Sequence, residues 1–327
     1  MKRMFTFSFV LAGLLALAGC GKSTRSPAAQ GGKLKIAVIP KGSTDVYWQY
    51  IHAGALAAGR KLGVHIIFQG PIEDGDRMAE IQIMDNFINQ HVNGIVLAPI
   101  DSHALVPPVR QAKAAHIPVV IIDSVLQGTP GKSFVSFVAT NDFKAGERDG
   151  QYLARLLGGK GKVVMLNFLV GSGAAVDRAR GFLAAMKQYP AIKIISRNQY
   201  GGSTPSRCEA AALNMMSRIR QANGIFCVNE TTTFGMYLAL KQVGLLGKKK
   251  FVGFDWQSNF KRPIEKGQIN GVMVQDPFHM AYEGVKFLVE HIRGKKVPAT
   301  LDTPAVIVTT KNIHTPAIKK LVKIPNV

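Results

Sequence analysis

From Lys33 onward the chain alternates short runs rich in β-branched residues with longer stretches in which apolar residues recur every three or four positions. The short runs read as buried strands and the longer stretches as amphipathic helices. Strands are expected at Leu34–Ile39, Val64–Phe68, Gly94–Ala98, Pro118–Ile122, Phe134–Ala139, Lys162–Leu166, Ile192–Arg197, Gly224–Val228, Lys250–Phe254, Ile269–Val274 and Ala305–Val308. Arg77–Gln90 illustrates the helices: Met78, Ile81, Met84 and Ile88 share one face and are expected in the core, with Glu80, Asp85 and Asn89 elsewhere on the wheel. Strand and helix in alternation is the α/β pattern of parallel sheets covered on both faces. So many strands exceed one compact open sheet in a chain of this length, and Ala139–Phe143 falls near the middle. Two doubly wound parallel-sheet lobes are therefore expected.

Polar residues collect where these strands end. Ile39 leads to Lys41 and then Asp45, Tyr47 and Trp48; Ala98 leads to Asp101, Ile122 to Asp123 and Ser124, and Ala139 to Asn141 and Asp142. In the second half Leu166 leads to Asn167, Val228 to Asn229 and Glu230, Phe254 to Asp255 and Trp256, and Val274 to Gln275 and Asp276. The carboxyl edge of an open parallel sheet is where ligands bind, so two such edges facing each other would enclose a cleft of carboxylates, amides and rings. That chemistry suits a polyhydroxylated guest: an ionised Asp accepts from adjacent hydroxyls, Asn and Gln both donate and accept, and an aromatic ring covers an apolar C–H face. Taken singly, Asp45, Asp142 and Asp255 equally fit helix caps, and Tyr47 and Trp48 fit a core helix face; their joint occurrence at successive strand ends favours the cleft.

The first residues change the expected compartment. Lys2 and Arg3 precede an uncharged run from Met4 to Ala18, which ends in Leu17-Ala18-Gly19-Cys20. The run is shorter than the roughly 20 residues that span a bilayer and sits where a cleavable export signal sits. Small residues before a cysteine resemble the lipobox of bacterial lipoproteins, which implies cleavage before Cys20 and acylation of it. Residues 1–19 are then a signal peptide and 20–32 the lipidated cysteine and a flexible tether. The two remaining cysteines, Cys208 and Cys227, fall in a helix and a buried strand and read as free thiols.

A formal net charge of +21 raises the question of nucleic acid. The basic residues are spread along the chain in short clusters such as Lys248-Lys249-Lys250, without an aromatic-interleaved patch or helix-turn-helix. No nucleic-acid partner is expected, and the charge is assigned to solubility and contact with anionic envelope surfaces.

Tyr47-Trp48, PVVIID ending at Asp123, Arg178 followed by Gly181-Phe182, GIFCVNE ending in Asn229-Glu230, VGFD ending at Asp255, and Gln275 together resemble the periplasmic sugar-binding proteins of ABC transporters, ribose-binding type. These are type I periplasmic binding proteins, whose fold is shared with the ligand domains of lac-repressor-like regulators. The resemblance runs from Lys33 to about Thr310. It implies that Tyr47 and Trp48 cover a sugar ring, that Asp123 and Asp255 accept from hydroxyls, that Asn229 and Gln275 bond others, and that Tyr200 supplies a second-lobe aromatic. Asp45, Ser124 and Arg178 complete the expected ligand-binding set. The resemblance also implies a three-strand hinge, with an N-terminal lobe of residues 33–138 plus 276–303 and a C-terminal lobe of 139–275 plus 304–327. A monomer docking on an inner-membrane permease is implied, with no cofactor and no metal. The chain departs from the pattern at three points. Asp45 replaces an Asn, Ser124 replaces an Arg, and the Arg near Val176 is missing, so two cations are lost and one carboxylate is gained. A larger sugar, a polyol or an amine-bearing ligand fits such a cleft better than ribose.

Three other readings stay open. An enzyme lacks support, since the eight histidines are scattered, no Gly-x-Ser-x-Gly elbow occurs, and Gly158–Lys162 precedes a strand without phosphate-loop spacing. A transcriptional regulator would carry a DNA-reading helix pair where this chain has an export signal. A ligand-sensing lipoprotein serving a chemoreceptor or sensor kinase would look the same in sequence.

Overall fold

The computed structural model describes residues 32–324. The export signal and Cys20 lie outside the described residues.

Two six-stranded sheets organise the chain. The first contains β1 (Lys35–Ile39), β2 (His65–Phe68), β3 (Gly94–Leu97), β4 (Val119–Ile122), β5 (Ser136–Thr140) and β11 (Thr300–Thr303), in the order β11-β5-β4-β3-β1-β2. The second contains β6 (Gly161–Asn167), β7 (Ile192–Tyr200), β8 (Gly224–Cys227), β9 (Lys250–Phe254), β10 (Gly271–Gln275) and β12 (Ala305–Val308), in the order β12-β10-β9-β8-β6-β7. All pairings are parallel except β10 with β12. Apart from these two outer strands, the sheets share one topology, so β4 and β9 occupy equivalent places.

Helices α1 (Val46–Leu62), α2 (Arg77–Asn89), α3 (Val106–Ala114) and α10 (Pro277–Ile292) cover the first sheet. The second carries α4 (Asp142–Leu156), α5 (Gly173–Met186), α6 (Pro205–Asn214), α7 (Met216–Gln221), α8 (Glu230–Gln242) and α9 (Lys261–Glu265), with α11 (Pro316–Leu321) near the carboxyl terminus. Strand alternation divides each lobe's core in two. Ile36 and Val38 pack with Ile51, Ala55 and Leu288 on one face of β1, while Ala37 and Ile39 pack with Met84, Phe87 and Val109 on the other.

The chain passes between the sheets three times, at Asn141, Asp276 and Pro304, each between a strand and the next element. The crossings lie side by side: the Thr140 and Thr303 hydroxyls are 3.4 Å apart, and Asn141 Nδ2 donates to Asp302 Oδ2 at 3.3 Å.

On the expected face of α2, Met84 is buried and Ile81 and Ile88 pack against the core, and the structure corrects that face at Met78 and Glu80. Met78 is 74 % exposed, and the buried residues are Glu80, Ile83, Met84 and Phe87. Glu80 turns inward because the Ile100 amide, after β3, needs an acceptor; it donates to Glu80 Oε2 at 3.0 Å. Strand β11 was not expected, and β7 extends past Arg197 to Tyr200.

Candidate functional site

Asp123 and Asp255 directly follow the equivalent strands β4 and β9, with φ of 65° and 64°. Left-handed backbone is uncommon outside glycine, although Asp tolerates it better than most residues. Here it has a cause in each lobe. The Asp123 amide donates to Val138 O of β5 and the Asp255 amide to Met273 O of β10. The last ladder bond is thus completed while both carboxyls remain in the wall of one cavity.

On the first lobe's side Lys41, in the loop after β1, pairs with Asp123 Oδ2 and donates to Ser124 Oγ. Tyr47 OH donates to Asp123 Oδ1 at 2.8 Å, and Ser124 Oγ donates to Oδ2 at 3.1 Å. Burial by itself raises the Asp123 carboxyl; Lys41, then Arg178, and hydrogen bonds from Lys41 and Tyr47 outweigh it and hold the group below the usual carboxylate range. Trp48 meets Tyr47 edge-on, with centroids 5.0 Å apart, and its Nε1 donates to Asp74 Oδ1 at 2.9 Å.

On the second lobe's side Arg178 is the centre. Helices α4 and α5 approach closely enough that a side chain at Gly146 or Gly181 would strike the facing helix backbone, at Arg178 O and Phe143 O respectively. The approach lets Arg178 Nε donate to Asp142 Oδ1 at 2.7 Å and Nη1 to Asp255 Oδ2 at 3.1 Å, with the guanidinium 3.8 Å from the Phe254 ring centre. Burial would lower the guanidinium, but Asp142, Asp255 and Asp123 outweigh it and raise it further. Gln275 Nε2 donates to Asp255 Oδ1 at 2.7 Å. Asn229 caps α8: its Oδ1 accepts from the Thr232 amide and hydroxyl and its Nδ2 donates to Thr231 Oγ1 at 3.4 Å, so one Nδ2 hydrogen is left to a ligand.

These walls leave a narrow cavity of about 40 Å³ between the lobes. Of the residues expected from sequence, Asp45, Tyr47, Trp48, Asp123, Arg178, Asn229 and Asp255 line it together. Ser124 is fully buried behind Asp123, and Gln275 faces a smaller adjoining void shared with Tyr47 and Asp255. The placement of Tyr200 is corrected: it ends the edge strand β7, 49 % exposed, and Phe168 is the second-lobe aromatic in the wall. One of the two expected cation losses is offset, because the Lys41 ammonium stands against Ser124. Lys41, Asp74, Phe168, Glu230 and Thr231 complete the lining without having been picked out as site residues. Among the described residues no three His, Cys, Asp or Glu side chains converge on a metal position.

The lobes meet at the cavity mouth. Arg77, held by Asp101 at 3.0 Å, donates to the Val170 carbonyl, and the Ser102 amide donates to Gly171 O at 3.2 Å. Gly171 has φ 90°, and a Cβ there would run into the Asp101 carboxylate. Only a glycine fits this closed mouth.

The sequence pattern of the periplasmic binding protein domain matches residues 36–296. The chain belongs to the periplasmic binding protein family. Among the relatives of this binding protein is the D-allose-binding periplasmic protein of Escherichia coli, 27 % identical over 80 % of this chain and 85 % of its own length. The galactofuranose-binding protein of the same organism is 32 % identical over 70 % of this chain and 74 % of its own. Among solved structures, a carbohydrate transporter solute-binding protein from Agrobacterium radiobacter in complex with D-arabinose superposes with a TM-score of 0.85 at 30 % identity, covering 90 % of this chain and all of its own. An ABC transporter solute-binding protein from Agrobacterium vitis with bound D-fucose gives 0.85 at 33 % identity, covering 88 % of this chain and all of its own. The two-lobed fold of this periplasmic binding protein is thus the type I fold expected from the sequence.

Proposed function

We propose that this chain is the substrate-binding component of an ABC-type sugar importer, which holds a monosaccharide or related polyol between its lobes and delivers it to a membrane permease. One observation carries the reading: Asp123 from one lobe and Asp255 from the other line the same enclosed cavity, with the rings of Tyr47, Trp48 and Phe168 beside them. The sugars named for the relatives and for the bound structures support the same ligand class.

In this reading a ring lies with its C–H face on the aromatic side chains while its hydroxyls donate to Asp123 and Asp255 and accept from Asn229 Nδ2. Lys41 holds Asp123 ionised, Arg178 partly offsets the upward push of burial on Asp255, and the two cations orient both carboxyls before the guest arrives. Charge-assisted hydrogen bonds contribute about 1.5–3 kcal/mol each, so a handful supplies the roughly 8 kcal/mol of micromolar binding. Because the acceptors come from both lobes, the guest favours the closed state over any open one. Lobes of residues 33–138 plus 276–303 and 139–275 plus 304–327 would turn about the three crossings. The chain acts as a monomer outside the cytoplasmic membrane, tethered through Cys20, with no chemistry of its own.

Thermal melting against pentoses, hexoses and polyols tests the reading. A ligand at a hundred times its Kd adds about 2.7 kcal/mol to the folded state, so at least one sugar or polyol should raise the melting temperature clearly. A panel without any shift would overturn it.

A further inference from the structure

Five carboxyl groups line the cavity and two cations face them. Lys41 is committed to Asp123 and Arg178 to Asp255 and Asp142. Asp45, Asp74 and Glu230 are left without a cation. Each has a neutral donor instead: the Thr231 hydroxyl for Asp45, Trp48 Nε1 for Asp74, and Gln257 Nε2, at 2.7 Å, for Glu230. A carboxylate has room for about four donors, so much of this capacity is unused.

Glu230 marks the shortfall most sharply. It is only 4 % exposed, it lines the cavity, and its Oε2 is buried without a hydrogen-bond partner. A buried oxygen in that state is costly unless something bound satisfies it. Asp45 also raises the other two: burial first and then neighbouring carboxyls, Asp45 ahead of Asp123, push Asp74 to about 7, and burial, with Asp255 adding to it, pushes Asp45 to about 6. Burial and then Asp45 hold Glu230 well above the usual range. Neutral hydroxyls would satisfy lone pairs but not relieve the crowding of carboxyls, which in the empty cavity is relieved only by protons the raised groups hold. A single ammonium on the guest does both.

We propose that the preferred ligand carries a protonated amine among its hydroxyls, an amino sugar or amino polyol, received by Asp45, Asp74 and Glu230. This rests on the sugar-cleft reading above and narrows it. The ammonium offers three donors to three walls of different origin, the loop before α1, the loop after β2 and the first turn of α8. Asp45, where the family resemblance has an Asn, is then the residue that sets the preference for charge.

Calorimetry at pH 7 with D-glucosamine, D-galactosamine and D-mannosamine, each beside its neutral parent and its N-acetyl derivative, tests the proposal. At least one amino sugar should bind about tenfold or more tightly than both of its neutral counterparts, in keeping with a desolvated charge-assisted hydrogen bond. Asp45→Asn, which keeps the side-chain shape, should cut that preference severalfold, and Glu230→Gln should do the same. Parents that bind as tightly as their amines would overturn the amine inference and leave the sugar-cleft reading standing. If neither class binds while the protein melts cooperatively, the amine inference falls, and the sugar-cleft reading falls with it when the pentose and polyol panel is silent as well.

Discussion

Lys41→Met removes the ammonium that holds Asp123 ionised and leaves the methylene stem in place. The side chains of the pair are 8 % and 4 % exposed, and removing one partner of a pair so buried costs about 3–5 kcal/mol because the other charge is stranded. Here the pair lies in the wall of a cleft, so opening the lobes lets water reach Asp123, and the cost falls mainly on the closed, ligand-bound form. Taking the lower figure, affinity should drop about a hundredfold at 1.4 kcal/mol per tenfold. A pH dependence should appear with it. In the native chain Asp123 is held low, so the interactions its ionised form makes are present above the ordinary carboxylate range and lost only in strong acid. Without Lys41 burial dominates and raises the carboxyl, so affinity should fall as pH drops from 8 to 5.5. Calorimetry at the two pH values measures this, and denaturant unfolding of Lys41→Met, Asp123→Asn and the double variant completes a cycle in which the double variant should be more stable than the sum of the singles implies. Affinity within threefold of native at both pH values, or strictly additive stabilities, would refute the reasoning.

Gly171→Ala should block full closure, since its Cβ meets Asp101 only across the mouth; affinity should fall about tenfold, a change of about 1.4 kcal/mol, chiefly through faster dissociation, and an unchanged dissociation rate in stopped-flow fluorescence would contradict this. Burial raises the Glu80 carboxyl to about 8, so the stability it contributes is complete below the ordinary glutamate range and lost as pH rises through about 8. Glu80→Gln should therefore flatten the fall in melting stability between pH 5 and 9 by about 4 kcal/mol, whereas parallel curves for variant and native would count against the assignment. Cys20→Ala should move the protein from the membrane fraction to the soluble envelope fraction; continued sedimentation with lipid would rule out the anchor.

The strands of both sheet interiors were legible because buried parallel strands are short β-branched runs, and Asp123, Asn229 and Asp255 were legible because they follow such runs directly. Strand β11 escaped because its residues, TLDT, lie at a sheet edge where exposure removes the apolar signal. On α2 the apolar period placed Ile81, Met84 and Ile88 correctly but missed Glu80, which is buried for a hydrogen bond made by a distant amide that periodicity does not encode. Lys41 and Asp74 escaped for the same kind of reason. Both sit in irregular loops, and their partners Ser124 and Trp48 lie 83 and 26 positions away. Tyr200 was misplaced because β7 runs three residues beyond its expected end at Arg197, which puts the ring on the edge strand instead of in the loop after it.

Binding affinity after loss of one acceptor from each lobe tests the two-lobed cleft most directly. With whichever sugar or amino sugar gives the largest thermal shift, calorimetry of Asp123→Ala and Asp255→Ala should each return at least a tenfold weaker Kd, the loss of about one charge-assisted hydrogen bond. Native affinity in both variants would mean that the guest is held elsewhere.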